Sequence, residues 1–119
     1  MKPGRTGMIR LLYATYYSLK GLKAAWKHEA AFRQETLASA ILISVTFFLP
    51  VSTLEHLMLI GCLVLVMIVE LLNSAIESVV DRIGSDWHEL SGRAKDIGSA
   101  AVFITLVFSI FTWIYILVK

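Results

Sequence analysis

The sequence has little of what most soluble or secreted proteins need. It contains one cysteine, Cys62, which excludes a disulfide framework and a cysteine metal cluster. Two prolines and the absence of low-complexity stretches argue against a disordered chain. Charged residues make up 17% of the 119 residues, with eleven Lys and Arg nearly balancing nine Asp and Glu, so no nucleic-acid partner is expected. Because 57% of the residues are hydrophobic, the composition predicts a small integral membrane protein.

Three apolar stretches are long enough to cross a bilayer, whose core needs about 20 mainly apolar helical residues. They are residues 30–49, 57–80 and 97–118. Residues 1–28 have apolar side chains near helical spacing and a basic end, which predicts an amphipathic surface helix. The predicted fold is an all-α membrane protein, a single domain over residues 1–119 with a surface helix and three transmembrane helices. No cleavable signal peptide is expected, because the N-terminal region lacks an unbroken apolar run.

The distribution of basic residues predicts the orientation in the membrane. Nearly all Lys and Arg lie in residues 1–33 and 81–96, and none lies in the connection 50–56. By the positive-inside rule, the N-terminus and the segment 81–96 are cytoplasmic. Three spans then put the C-terminus on the outer side.

The second span contains acidic residues that are unusual inside a bilayer. At about 100° per residue, one stripe of this helix carries its polar side chains, Glu70, Asn73, Ser74, Glu77 and Asp81. An ionised side chain at the bilayer centre costs about 2.5–3.5 kcal/mol. Glu70 lies about 20 Å along the helix from the start of the span, in the cytoplasmic third of the core. Three interpretations stay open: polar contacts between helices, a proton or drug pathway, and a metal-assisted site in which one acid accepts a proton.

Further polar residues lie where the predicted helices meet the cytoplasm. Glu29 and Glu35, at the inner start of the first span, are placed to join such a site from a facing helix. The connection 81–96 combines Arg93 and Lys95 with several glycines, which fits either topogenic charge or a phosphate site. No GxxxxGK[ST] sequence occurs, so a P-loop is not expected.

Two strings resemble those of a known family, GLKAAWKHEAAFRQE at 21–35 and VMIVELLNSAIESVVDRIGSDWHELSGRAKDIGSAAV at 66–102. The chain resembles the small bacterial integral-membrane diacylglycerol kinases over nearly its whole length. The resemblance implies a homotrimer of three-span subunits with shared active sites, in the cell inner membrane and with a periplasmic C-terminus. It also implies transfer of the γ-phosphate of MgATP to diacylglycerol, giving phosphatidic acid in lipid recycling. The implied partners are diacylglycerol, MgATP, membrane lipids and further copies of the chain.

The same resemblance assigns roles to individual residues. Glu70 matches the general base at the lipid hydroxyl, and Asn73 matches a polar residue that orients the base or the phosphate. Glu29 and Glu77 match the ligands of the divalent metal, Mg²⁺. The implied ATP-binding residues are Arg10, Tyr17, Glu29, Glu77, Asp86, Trp87, His88, Lys95 and Asp96. The implied lipid-binding residues are Arg10, Ala14, Trp26, Ala31, Phe32, Arg33, Gln34, Glu35, Glu70 and Ser99.

Two alternatives accompany this interpretation. Related undecaprenol kinases share the fold and the Glu–Asn–Glu pattern, although the string HELSGRAKDIGSAAV favours the diacylglycerol branch. A small multidrug or proton-coupled exporter is similar in length and has one intramembrane glutamate. Such exporters have four spans, whereas three are predicted here.

Overall fold

The computed structural model describes residues 6–119, and this part of the chain is helical without strands. Its elements in chain order are α1 (Gly7–His28), α2 (Ala30–Thr46), α3 (Thr53–Ile83) and α4 (Glu89–Val118). The described part measures 48 × 42 × 21 Å along its principal axes. The all-α prediction is confirmed. Residues 1–5, which belong to the predicted surface helix and contain the predicted cytoplasmic charges Lys2 and Arg5, lie outside the described residues.

Helix α1 ends where the chain turns into α2. Glu29 separates the two helices with extended dihedral angles, φ −116° and ψ 103°, while its N–H still donates to the carbonyl oxygen of Ala25. The guanidinium of Arg33 donates to the carbonyl oxygens of Trp26 at 2.7 Å and Lys27 at 3.2 Å. These last carbonyls have no partner within the helix, so a cation at this end stabilises it. The junction therefore holds Glu29 between α1 and α2.

Helix α2 ends at Thr46, three residues before the predicted end of the first span at residue 49. Pro50 disfavours helical geometry at the residue before it, which explains the early end. Thr46 Oγ1 lies 2.8 Å from His56 Nε2, and the Phe47 ring meets the His56 ring edge-on at 4.7 Å. These contacts attach the end of α2 to the first turns of α3. With 17 residues, α2 is at the short end of helices that cross a bilayer.

Helices α3 and α4 are each long and apolar enough to cross a membrane. Both begin several residues before the predicted spans at 57 and 97, because a helix continues into the polar boundary beyond its apolar part. Helix α3 starts at a capping box in which Ser52 Oγ accepts from the N–H of Glu55 at 3.1 Å and Glu55 Oε1 accepts from the N–H of Ser52 at 3.0 Å. Helix α4 starts at His88, whose Nδ1 accepts from the N–H of Leu90 at 3.1 Å.

Helix α3 is the central element and packs against both α2 and α4. The buried residues of α4 are Gly98, Ser109 and Thr112. All three belong to a row of small and hydroxyl residues whose spacing of three or four puts them on one face of the helix and allows close packing: Ala94, Gly98, Ala101, Thr105, Ser109 and Thr112. Trp113 Nε1 donates to the carbonyl oxygen of Leu59 at 3.2 Å, so the two long helices are also joined by a hydrogen bond.

The far ends of the long helices are joined by an ion pair between Lys119 and Glu55. The hydrogen bond that accompanies this pair raises the pKa of the Lys119 ammonium above its usual value. Most large apolar side chains elsewhere are exposed, such as Phe103 and Ile104 on α4 at 66% each. An apolar exterior of this extent fits a protein surrounded by lipid or by other membrane helices.

Candidate active site

One face of α3 buries polar side chains. Glu70, Asn73 and Ser74 are 6%, 8% and 6% exposed, and their spacing of three and four residues aligns them along the helix. Glu77, one turn after Asn73 and Ser74, is half-buried. The stripe predicted from spacing is therefore present, and it runs from the packed middle of α3 toward its more open end. Burying a carboxylate is costly unless its charge is compensated.

Acidic residues from other elements lie near the same face. Glu70 interacts electrostatically with Glu35 on α2, with Glu77 on α3 and with Glu29 at the α1–α2 junction. Three chain segments thus contribute the carboxylates whose charges act on Glu70. Like charges at close range repel, and the repulsion is relieved by a proton or by a bound cation. We refer to these four residues as the carboxylate cluster.

A cavity of about 590 Å³ opens between α1, the α1–α2 junction and α3, and Glu29 is the member of the carboxylate cluster that lines it. Its polar walls come from Ser18, His28, Glu29, Ser74 and Ser78, and its apolar walls from leucine and alanine side chains. The volume lies within the range of small-molecule sites, about 300–1,000 Å³. The cavity is therefore large enough for a polar head whose apolar part rests against the helices.

The carboxylates of the site are oxygen ligands of the kind that a divalent cation takes. In the part of the chain that the structure describes, no group of three His, Cys, Asp or Glu side chains forms a complete metal site. In phosphoryl-transfer enzymes, however, Mg²⁺ takes only one or two carboxylates and completes its shell with phosphate oxygens and water. Glu29 and Glu77 are half-buried carboxylates on two different segments. Their carboxylate oxygens are of the donor type that Mg²⁺ prefers.

The connection between α3 and α4 forms a second polar region. Lys95 at the start of α4 pairs with Asp81 near the end of α3 at 2.7 Å. A cavity of about 230 Å³ adjoins this pair and is lined by Asp86, Trp87, His88 and Lys95. Asp96 faces a separate cavity of about 480 Å³, where Trp87 forms part of the wall. The predicted nucleotide residues of this connection thus lie around two neighbouring cavities.

Other predicted site residues have different surroundings in the single chain. Arg10, Tyr17 and Trp26 are exposed on α1, and Ser99 is exposed on α4. Ala14 is half-buried on α1 and Phe32 is buried on α2, while Ala31 and Gln34 are exposed. These residues do not line the α1–α3 cavity. Arg33, predicted to contact lipid, donates hydrogen bonds from its guanidinium to carbonyl oxygens at the end of α1.

Two residues beside the site, Ser78 and Gly98, were not predicted from the sequence. Ser78 lines the α1–α3 cavity together with Ser74 of the predicted stripe, and its spacing of four residues from Ser74 was the available signal. Gly98 on α4 faces the side chain of Asn73. Its place in the small-residue row indicated helix packing, but the pairing with Asn73 depends on how α3 and α4 are aligned.

The fold and the site together define a helical membrane protein with an acidic site between its helices. A family model described as prokaryotic diacylglycerol kinase matches residues 16–117. The chain belongs to this family. The predicted family and the predicted enzyme class, a kinase, are confirmed, and membership in a kinase family implies phosphoryl transfer from ATP. It also argues against the exporter alternative.

Individual relatives match over nearly their full length. The diacylglycerol kinase of Escherichia coli (strain K12) is 53% identical over 117 residues, which cover 98% of this chain and 96% of the relative. The diacylglycerol kinase of Haemophilus influenzae is 55% identical over 108 residues, covering 91% and 92% respectively. That of Pseudomonas aeruginosa is 52% identical over 114 residues, covering 96% and 93%.

Proposed function

We propose that this protein phosphorylates diacylglycerol with MgATP and releases phosphatidic acid and ADP. The observation that carries the proposal is the burial of Glu70 within the carboxylate cluster, on a helix long enough to span a membrane. Interhelical polar contacts alone do not require four acids at one place. A kinase uses such a cluster to hold a metal-bound phosphate and to accept a proton.

In this proposal Glu70 is the general base. The lipid hydroxyl oxygen attacks the γ-phosphorus, its proton passes to Glu70, and the bond from the γ-phosphorus to the bridging oxygen of ADP breaks. A positioned carboxylate contributes about 10²–10⁴-fold to such a step. Asn73, one turn further along α3, makes no hydrogen bond in the described part of the chain, so its amide is available to orient the phosphate or the base.

Glu29 and Glu77 are proposed to bind Mg²⁺ with the ATP phosphates. The bound metal supplies charge neutralisation on the transferring phosphate. Lys95, Asp86, Trp87, His88 and Asp96 are proposed to hold the nucleotide from the α3–α4 connection. The ammonium of Lys95 is half-exposed beside a cavity, which supports a phosphate contact.

We further propose that α2 is the third membrane crossing and that the protein is a homotrimer with shared sites. The exposed apolar sides of α3 and α4 support additional helix contacts in the bilayer. Arg10, Tyr17 and Ser99 are exposed and do not line the α1–α3 cavity, and the same residues of a neighbouring copy are proposed to complete the site. Lys and Arg are concentrated in residues 1–33 and 81–96. This distribution supports placing the site and the N-terminus on the cytoplasmic side of the inner membrane.

The substrate assignment is tested with purified protein in mixed micelles. MgATP is supplied with diacylglycerol, with undecaprenol or without lipid, at equal surface fractions. The proposal predicts phosphatidic acid formation at least about tenfold faster than undecaprenol phosphorylation, a difference of about 1.4 kcal/mol in transition-state binding. Faster phosphorylation of undecaprenol would establish the related kinase activity instead. ATP hydrolysis without a phosphorylated lipid would contradict both.

A further inference from the structure

Gly98 differs from the other described glycines in how closely its backbone approaches a neighbour. A Cβ added at Gly98 would overlap Oδ1 of Asn73 and lie 3.3 Å from its Cγ. A Cβ added at Gly61 or Gly92 would meet nothing within 4 Å. Gly98 lies inside α4 and has no positive φ, so its backbone conformation does not require glycine. What requires glycine at this position is the space taken by the Asn73 amide.

The Asn73 amide is held in an unusual way for a buried polar group. The residue is 8% exposed, and its Oδ1 is buried without a hydrogen-bond partner. Leaving a buried acceptor unpaired costs about 1–3 kcal/mol. No hydrogen bond in the described chain fixes the rotation of this amide, and the α4 backbone at Gly98 is the neighbour that lies against it.

General helix packing does not account for this contact. Ser109 and Thr112 are buried on α4 and carry side chains larger than a hydrogen. The two helices therefore accommodate a Cβ, and even a branched one, further along α4. The lack of space for a side chain at Gly98 is therefore local. The three atoms nearest to the added Cβ all belong to Asn73.

We infer that Gly98 is a positioning residue for phosphoryl transfer: its missing side chain seats the Asn73 amide against α4 and holds it in the orientation used beside Glu70. The inference rests on the proposed role of Asn73. A methyl group at position 98 forces the amide to rotate or pushes the helices apart. Either change moves the amide from its place on the stripe that carries Glu70.

Kinetics of Gly98→Ala separate positioning from loss of substrate binding. We expect kcat to fall by about 10–100-fold, since displacements near 1 Å have costs of this order. We expect KM for MgATP to stay within about twofold, because the metal and nucleotide residues are untouched. The matched control is Gly61→Ala, which adds the same methyl to α3 in open space and should leave kcat unchanged. An unchanged kcat in Gly98→Ala would overturn the inference.

A stability comparison in two backgrounds tests the contact itself. In the otherwise unchanged protein, Gly98→Ala should lower the thermal unfolding midpoint in micelles. In the Asn73→Ala background it should raise the midpoint, because the crowded atoms are gone and alanine favours a helix over glycine. A change of the same sign in both backgrounds would overturn the inference and leave ordinary helix packing.

The activity of Asn73→Ala shows separately whether the proposed catalytic role of Asn73 fails. Full lipid-kinase activity in Asn73→Ala would remove the catalytic role of Asn73, and the positioning role of Gly98 would fall with it. Loss of activity in Asn73→Ala, together with same-sign stability changes, would overturn only the role of Gly98. Loss of activity in Asn73→Ala, together with stability changes of opposite sign for Gly98→Ala in the two backgrounds, supports the roles of both Asn73 and Gly98.

Discussion

The guanidinium of Arg33 on α2 donates to the carbonyl oxygen of Trp26, 2.7 Å away at the end of α1. A second hydrogen bond from the same nitrogen reaches the carbonyl oxygen of Lys27 at 3.2 Å. Glu29 lies within the short turn that these bonds close. The Arg33 guanidinium thus ties α1 to α2 and fixes the backbone of a proposed metal ligand.

Replacing Arg33 by alanine should therefore loosen the α1–α2 junction. We expect a loss of about 1–2 kcal/mol in the free energy of unfolding, toward the low end for hydrogen bonds of a charged group because both bonds are exposed. The Mg²⁺ concentration needed for half-maximal activity should also rise, because Glu29 loses its fixed position. Unfolding and Mg²⁺ titration in mixed micelles measure the two effects.

Arg93→Ala is the control for the Arg33 prediction. Arg93 pairs with Glu89 at 3.3 Å on the exposed face of α4, and such pairs contribute only about 0.3–0.5 kcal/mol. Equal stability losses in the two variants would show that the Arg33 contacts do not hold the junction.

Glu29 and Glu77 should each contribute to the binding of both Mg²⁺ and ATP. Glu29→Gln or Glu77→Gln removes one carboxylate ligand, so the Mg²⁺ requirement and the Kd for MgATP should rise together. Equilibrium binding of MgATP gives a readout that does not depend on turnover. Glu89→Gln, an exposed acid on α4, is the control. Lower turnover at unchanged Mg²⁺ and ATP affinities would assign these two acids another role.

Lys95 should matter more for nucleotide binding than for stability. Its ion pair with Asp81 is largely exposed, and such pairs contribute about 0–1 kcal/mol to folding. Lys95→Ala should raise KM for MgATP about tenfold, or about 1.4 kcal/mol, if the ammonium contacts a phosphate. Asp81→Asn, which keeps the ammonium, should change KM much less. A large stability loss in Lys95→Ala with unchanged KM would identify a structural ion pair.

Shared active sites predict complementation between inactive subunits. Arg10→Ala and Glu70→Gln place their lesions in parts of the site that are proposed to come from two different copies. If each site combines segments from two copies, mixed oligomers contain some sites without either lesion and regain part of the activity. Mixing the subunits before reconstitution and measuring phosphatidic acid tests this. Verified mixed oligomers without any recovered activity would argue for sites built within one subunit.

Much of the site could be predicted from spacing, because a helix repeats every 3.6 residues. The alignment of Glu70, Asn73 and Ser74 follows from that period, as does the buried row containing Gly98 and Ser109 on α4. The roles of individual residues came from the resemblance to a family and stay predictions.

Helix bounds were predicted less well, because hydropathy follows the apolar core and a helix extends beyond it. The Ser52 and Glu55 capping box marks the true start of α3 and was readable as S-x-x-E. The contacts of Arg33 with α1 and of Gly98 with Asn73 depend on packing between segments. No pattern within a single helix predicts them.

The measurement that tests the account most directly is the turnover of Glu70→Gln with diacylglycerol and saturating MgATP. The amide keeps the shape of the carboxylate but does not accept the hydroxyl proton. We expect turnover to fall by at least about 10²–10⁴-fold, while circular dichroism, oligomeric state and MgATP binding match the unchanged protein. Turnover close to that of the unchanged protein in a folded Glu70→Gln variant would contradict the assignment of Glu70 as the base.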